Sequence, residues 1–203
     1  MHVTIGGVEI DLSSSGIRTL GELIDAVQSA ASERNEIALG LVLNGEPVSP
    51  DQEASQRERE LMPDDAIDFQ VQNASAVLTA ALEQTRNGLP ALEEKLGQVA
   101  VALQGGSRQE AFSLFGECLT HWRQVIQLLQ ATQAFLNYDP AEVEIEGRTI
   151  QNINEELLAA LQETKRAMEQ GDLVALSDLL EYELVAKLHE ERTLLDQLIS
   201  MVP

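Results

Sequence analysis

The chain has 203 residues, enough for one large domain or two small ones, and 44% of them are hydrophobic, ample for a core. Only 3% are aromatic, so that core must be Leu, Ile, Val and Ala, which suits packed helices. A net charge of −21 argues against nucleic acid and anionic membrane surfaces as partners, since both attract basic patches. The charge is spread over the chain: residues 1–73 hold 14 acids and 4 bases, residues 74–203 hold 20 and 9. This describes a soluble bacterial protein kept apart by self-repulsion, or one that meets a basic partner.

The chain opens with two alternating runs, Val3-Thr4-Ile5 and Val8-Glu9-Ile10-Asp11-Leu12, joined at Gly6-Gly7. Alternation predicts that Val3, Ile5, Val8, Ile10 and Leu12 point inward. Thr19, with Glu22 three residues on, is a capping box for a helix that buries Leu20, Leu23, Ile24, Val27 and Ala31. Leu41-Val42-Leu43 and Val48 flank Asn44-Gly45, the pair that supplies positive φ in a tight hairpin. An acidic loop leads to a last strand in which Ile67, Phe69 and Val71 face inward.

This ββαββ order over residues 1–72 resembles the β-grasp fold of ubiquitin. The resemblance implies a recognition domain, with three departures. Residues 1–72 contain no lysine, because Lys95, Lys165 and Lys187 all come later. Gln72-Asn73-Ala74 stands where a modifier would carry its diglycine tail, and the chain runs on. The apolar patch by which ubiquitin is read maps to Gly6-Gly7, Val42 and Gln70, of which only Val42 offers an apolar side chain. Fold can be shared without function.

Residues 74–203 read as four helices. Leu78, Leu82, Thr85, Leu89, Leu92, Leu96, Val99 and Leu103 alternate steps of 4 and 3, in phase across Pro90, which predicts one kinked helix with Gly88 easing the bend. Gly105-Gly106 ends it, and Ser107 with Glu110 is a capping box for the next. That second helix carries Ala111, Phe115, Cys118, Trp122, Val125, Leu129, Thr132 and Leu136; Phe112, Leu119, Ile126 and Phe135 widen the stripe, which predicts a central position. Asn137 to Pro140 stops it, and Val143 to Gly147 reads as a short extended link. The third helix uses Ile150, Ile153, Leu157, Leu161 and Met168 and closes at Gly171. Asp172 caps the fourth, which buries Leu173, Leu176, Leu180, Leu184, Leu188, Leu195 and Leu198. Short connections imply an antiparallel up-down four-helix bundle, so the fold class is α+β, with domains at 1–72 and 74–203. The run from Gly171 to Leu184 resembles the last helix of small bacterial bundle proteins and, more distantly, of flagellin export chaperones.

The chemistry-bearing residues do not assemble into a catalytic pattern. Glu-x-x-His, the di-iron signature of bundles, does not occur: Glu117 and His121 are four apart, and Ala186 stands three before His189. Cys118 has only His121 near it in sequence and lies on the core stripe, as expected of an inert thiol in a reducing compartment. His121 beside Trp122 reads as a partly buried helix residue. No metal or organic cofactor is expected. With no basic leader followed by an apolar run, and no apolar stretch of membrane length, the expected location is the cytoplasm.

The sharpest functional candidate is Glu181-Tyr182-Glu183 with Asp178 one turn earlier, where Tyr182 could anchor a partner by ring and hydroxyl. The plain alternative is a Tyr packed at the bundle edge among solvated acids. The sequence therefore predicts a non-catalytic adaptor that binds another protein, either basic or presenting an amphipathic helix. A bundle chaperone holding an export substrate's helix is the first rival, and an enzyme without a recognisable motif is the second.

Overall fold

The structure is a computed structural model that describes residues 1–10 and 16–203. It divides into two compact units, Met1–Val77 and Leu78–Pro203.

In the first unit, five strands among the described residues form one mixed sheet: β1 (His2–Ile5), β2 (Val8–Ile10), β3 (Glu36–Leu43), β4 (Glu46–Val48) and β5 (Ala66–Asn73). The order is β2-β1-β5-β3-β4, with β1 and β5 parallel and every other neighbour antiparallel. Helix α1 (Leu20–Glu33) lays its buried face, Leu20, Leu23, Ile24, Val27 and Ala31, on one side of the sheet. This is the β-grasp arrangement. Thr19 caps α1 as expected: its hydroxyl accepts from the Glu22 N–H while the Glu22 carboxylate accepts from the Thr19 N–H. Asn44 and Gly45 both take positive φ and turn the β3–β4 hairpin.

Val3, Leu41, Ile67 and Phe69 are buried, whereas Ile5, Ile10, Leu43 and Val71 are half-buried. Val8 corrects the expectation. It pairs with Ile5 on the inner side, yet it is 67% exposed, because β2 is an edge strand and Val8 stands beside the hairpin turn. Leu12 lies outside the described residues. Two further features differ from the sequence reading. Strand β3 starts five residues earlier than Leu41, across an irregularity between Ala38 and Gly40. The acidic loop also contains a helix, α2 (Pro50–Gln56), held by a Ser49/Gln52 capping box with Pro at its first turn. Asp65, in the same loop, is buried and accepts from both Arg59 guanidinium nitrogens (2.7 and 2.9 Å), from Asn44 Nδ2 (3.0 Å) and from the Met62 N–H (2.8 Å). These donors hold its carboxyl well below the usual carboxylate range, the Arg59 pair contributing most.

The second unit contains α3 (Ala74–Gln104), which begins in the first unit, α4 (Arg108–Leu136), a two-strand hairpin of β6 (Glu144–Ile145) and β7 (Arg148–Thr149), and α5 (Ile150–Gln170). A fourth helical rod joins α6 (Leu173–Asp178), a π-helical turn (Leu179–Glu183) and α7 (Leu184–Met201). Cross-helix pairs fix the layout. Arg86 meets Asp196 at 2.8 Å and Glu93 meets His189 at 3.7 Å, so α3 and α7 run in opposite directions. Lys95 on α3 meets Glu117 on α4 at 2.5 Å, and Gly88 lies against His121, again antiparallel. Arg148 reaches Glu190 and Glu156 reaches Lys187, so α5 and α7 are antiparallel too. One groove is lined by Ile126 and Gln133 of α4 with Ile150 and Leu158 of α5, which closes the ring. The result is an up-down four-helix bundle.

Its core follows the 4-3 stripes closely: Leu82, Leu89, Leu92, Leu96, Val99, Phe115, Cys118, Trp122, Val125, Leu157, Leu180, Leu184 and Leu195 are all buried. Pro90 stays inside one continuous α3, on its exposed side. Gly88 has a packing role, since a Cβ there would stand 3.5 Å from His121 Cε1. Three expectations fail here. Ser107 makes no side-chain cap, because the chain reverses through Gly106 at φ 79° and leaves Ser107 at ψ 63°, away from the extended conformation a capping box needs. Helix α4 is a member of the ring and not its centre, so Phe112 and Phe135 are exposed and Leu119 and Ile126 half-buried. Leu173 is exposed at the start of α6. The Val143–Gly147 link closes into the β6–β7 hairpin, turned by Glu146 and Gly147 at positive φ.

Candidate partner-binding site

The fourth rod carries the sequence's candidate cluster, and its backbone explains the presentation. Leu176, Leu180, Leu184 and Leu188 recur at three successive steps of four. An α-helix advances 3.6 residues per turn, so three such steps would rotate the stripe by about 120° off the core. The π turn takes up the difference: the Leu184 N–H donates to the Leu179 carbonyl five residues back, and all four leucines stay buried. The extra residue thrown outward is in the segment holding Tyr182.

Tyr182 is 69% exposed. With Glu183 it lines an open cleft between α5 and α7, floored by Ala159, Ala160 and Ala186 and bordered by Glu156, Glu163 and Lys187. Lys187 donates to Glu156 (2.5 Å) and Glu190 (3.0 Å), and Arg148 bridges the same two carboxylates at 2.9 and 3.1 Å. This network lowers the Glu156 pKa, chiefly through the Lys187 hydrogen bond. Among the described residues Glu163 and Glu183 have no cationic partner. Small side chains below, a free ring at one end and two unpaired carboxylates shape the cleft for one long cationic side chain.

The sequence cluster does not act as one surface. Successive helical residues project about 100° apart, so Glu181 leaves Tyr182's side and accepts from Gln104 of α3 and from Ser177, both at 3.4 Å. Asp178 is exposed and lies outside the cleft lining. Val42 is half-buried on the outer face of the β-grasp sheet, in register with Pro47 and Asp68, in the other unit. Asp68 accepts from the Thr4 hydroxyl beside it, so the surround of Val42 is polar.

Sequence reasoning missed a second polar feature, in the bundle core. Glu191 is 2% exposed, neither carboxylate oxygen has a full hydrogen-bond partner, and the Trp122 Nε1 is likewise unmatched. Burial pushes the Glu191 carboxyl up to about 7; the nearby Trp122 indole N–H pulls the other way without reaching regular hydrogen-bond geometry. A signal existed: the fourth leucine stripe jumps from Leu188 to Leu195, and the vacant core slot is 191. Cys118 is fully buried, and desolvation raises its thiol to about 11. His121 is half-buried, and its pKa is lowered first by burial and then by Lys95. Among the described residues no three His, Cys, Asp or Glu side chains are grouped to hold a metal ion, and no helix is long and apolar enough to cross a membrane.

Fold and site together define a β-grasp unit followed by an up-down four-helix bundle with an open cleft between its third and fourth rods. By its bundle, the chain belongs to the family described as Domain of unknown function (DUF8042), whose model matches residues 80–193. Residues 1–73, ending where β5 ends, match the TP0873 N-terminal domain. An "Uncharacterized protein" of Treponema pallidum (strain Nichols) is 23% identical over 188 residues, covering 91% of this chain and 90% of that protein. No solved structure matches. Neither a ubiquitin family nor a flagellin-chaperone family is among these matches, so those likenesses rest on strand order and helix pattern.

Proposed function

We propose that this chain is a non-catalytic adaptor that binds another protein through the α5/α7 cleft. The observation that carries this reading is Tyr182: a ring 69% exposed on a π-helical turn, beside an alanine floor and two unpaired carboxylates. π turns cost regular hydrogen bonding and recur at functional positions. The partner that fits is a segment presenting Arg or Lys, whose head meets Glu163 and Glu183 while its stem crosses the alanines and the ring. A net charge of −21 would speed the encounter with such a partner at low ionic strength, where screening is weak. The buried, high-pKa Cys118 offers no nucleophile to set against this reading.

A photoreactive phenylalanine analogue at position 182, in protein expressed in its native host, tests the proposal. One defined crosslinked protein, joined through a basic segment and absent when the probe sits at the equally exposed Val101, is the expected result. Identical crosslinks from both positions would refute it.

A further inference from the structure

The opposite side of α5 has a different character. Ile126 and Leu158 share the groove between α4 and α5. Leu119 and Phe112 stand seven and fourteen residues before Ile126, on the same side of α4, and Leu161 follows Leu158 by one turn on α5. Phe112 is 45% and Leu158 46% exposed, with Leu119, Ile126 and Leu161 half-buried, so an apolar track runs along both helices. From 112 to 126 it is about 21 Å long at 1.5 Å per residue, or four helical turns.

On its α4 side, the charges beside this track are inverted relative to the rest of the chain. Arg108 and Arg123 lie on the same side of α4, both exposed and, among the described residues, without an ion-pair partner. Lys165 of α5 is held only by Glu169, at 3.8 Å. Of the acids of these helices, Glu117 pairs with Lys95 of α3, Glu156 and Glu163 line the α5/α7 cleft, and Glu110 lies on the far side of α4 from Phe112. Glu155, one turn before Leu158, and Glu169, which holds Lys165, stay on the α5 border, so the positive excess is on α4. Interactions beyond about 8–10 Å are screened at physiological salt, so the two arginines, not the net charge, decide what settles here. A second copy of this chain fits poorly, since a two-fold pairing of this face would set arginine against arginine.

We propose that the α4/α5 face is a second docking surface, independent of the Tyr182 cleft, and that it receives an amphipathic helix with an acidic rim. The apolar track takes the helix's i, i+3/i+4, i+7 residues, and Arg108 and Arg123 take its flanking carboxylates.

Two fluorescein-labelled synthetic 18-residue helices test this, sharing one leucine stripe and differing only in glutamate or lysine flanks. Binding to the full chain is followed by anisotropy at physiological salt. The glutamate-flanked helix is expected to saturate. Phe112→Gln with Leu158→Gln should weaken it by roughly tenfold or more, and Arg108→Glu with Arg123→Glu should reverse the preference between the two peptides. All four side chains are exposed, so circular dichroism should show both variants folded, and Tyr182→Ala should leave this binding unchanged. No saturable binding of the glutamate-flanked helix, or binding indifferent to both double variants, overturns the proposal. So does equal dependence of the two peptides on Leu158, which would mean an apolar groove without charge selection. A concentration-dependent dimer that Leu158→Gln abolishes would overturn it in favour of self-association.

Discussion

Replacing Glu191 by Gln should stabilise the bundle above neutral pH and leave it nearly unchanged near pH 4.5. Burial raises this carboxyl from 4.5 to about 7, a gap that corresponds to about 3 kcal/mol at 1.36 kcal/mol per unit. The sign follows from proton counting. Below pH 4.5 the group is protonated in both states and contributes nothing. Between 4.5 and 7 the unfolded chain gives up the proton while the fold keeps it, so native stability falls as pH rises. Above 7 both states are ionised and the whole penalty is present. Gln keeps the shape, still offers an oxygen to the Trp122 N–H, and does not titrate. Urea unfolding followed by the fluorescence of Trp122, the chain's single tryptophan, reports on this core directly. The variant-minus-parent difference should grow by about 2–3 kcal/mol from pH 5 to pH 8. Taking that difference removes the contribution of His121, whose lowered pKa acts in the opposite direction as pH rises toward 6.5. A flat difference would refute the reasoning, because the carboxyl would then titrate alike folded and unfolded.

In the first unit, Asp65→Asn should cost about 2–4 kcal/mol by stripping the buried partner from Arg59. Because the fold depresses the Asp65 pKa, that stabilisation is present above pH 3.8 and disappears on acidification, so parent and variant should converge in acid urea titrations. Phe69→Ala, which empties the centre of the β-grasp core, should cost about 3–5 kcal/mol by the same assay read in far-UV circular dichroism. Cys118 should resist iodoacetamide in the folded chain and react fully in denaturant; rapid native alkylation would contradict its burial. Tyr182→Ala should leave the thermal midpoint within a degree or two while weakening, by about tenfold or more, equilibrium binding of the partner that crosslinking identifies; a large loss of stability would mark it as a packing residue.

Strict periodicities carried the sequence reading furthest. The 4-3 leucine stripes of α3 and α4 and the alternation of β1, β3 and β5 located most of both cores, because burial is what maintains such patterns, while Ile5, Leu43, Val71, Thr85 and Leu136 are only half-buried. Caps were legible where the flanking backbone is extended, as at Thr19, and failed at Ser107, where a glycine reversal overrode the local code. Ser49-Pro50 with Gln52 spelled out the start of α2 yet was read as loop, since the segment buries no side chain and so shows no apolar period. Exposure was the least legible property. Phe112 and Val8 are apolar by type, and only the ring of helices and the sheet edge decide that they are wet. The candidate site divided in the same way: Tyr182 is visible as an isolated aromatic among acids, but two of the three alanines beneath it, Ala159 and Ala160, come from another helix.

The π turn makes the length of the fourth rod a two-setting property. Removing one residue between 179 and 183 would restore an ordinary helix whose leucine steps of 4, 3 and 4 keep Leu184, Leu188 and Leu195 on the core, so what is lost is the outward bulge in the segment that holds Tyr182. An insertion there, with no second wide turn to absorb it, would swing everything downstream by about 100° and turn those leucines toward water. The bundle core therefore tolerates the loss of one residue beside Tyr182 but not a gain, and the π turn itself is kept only by the shape it gives the cleft.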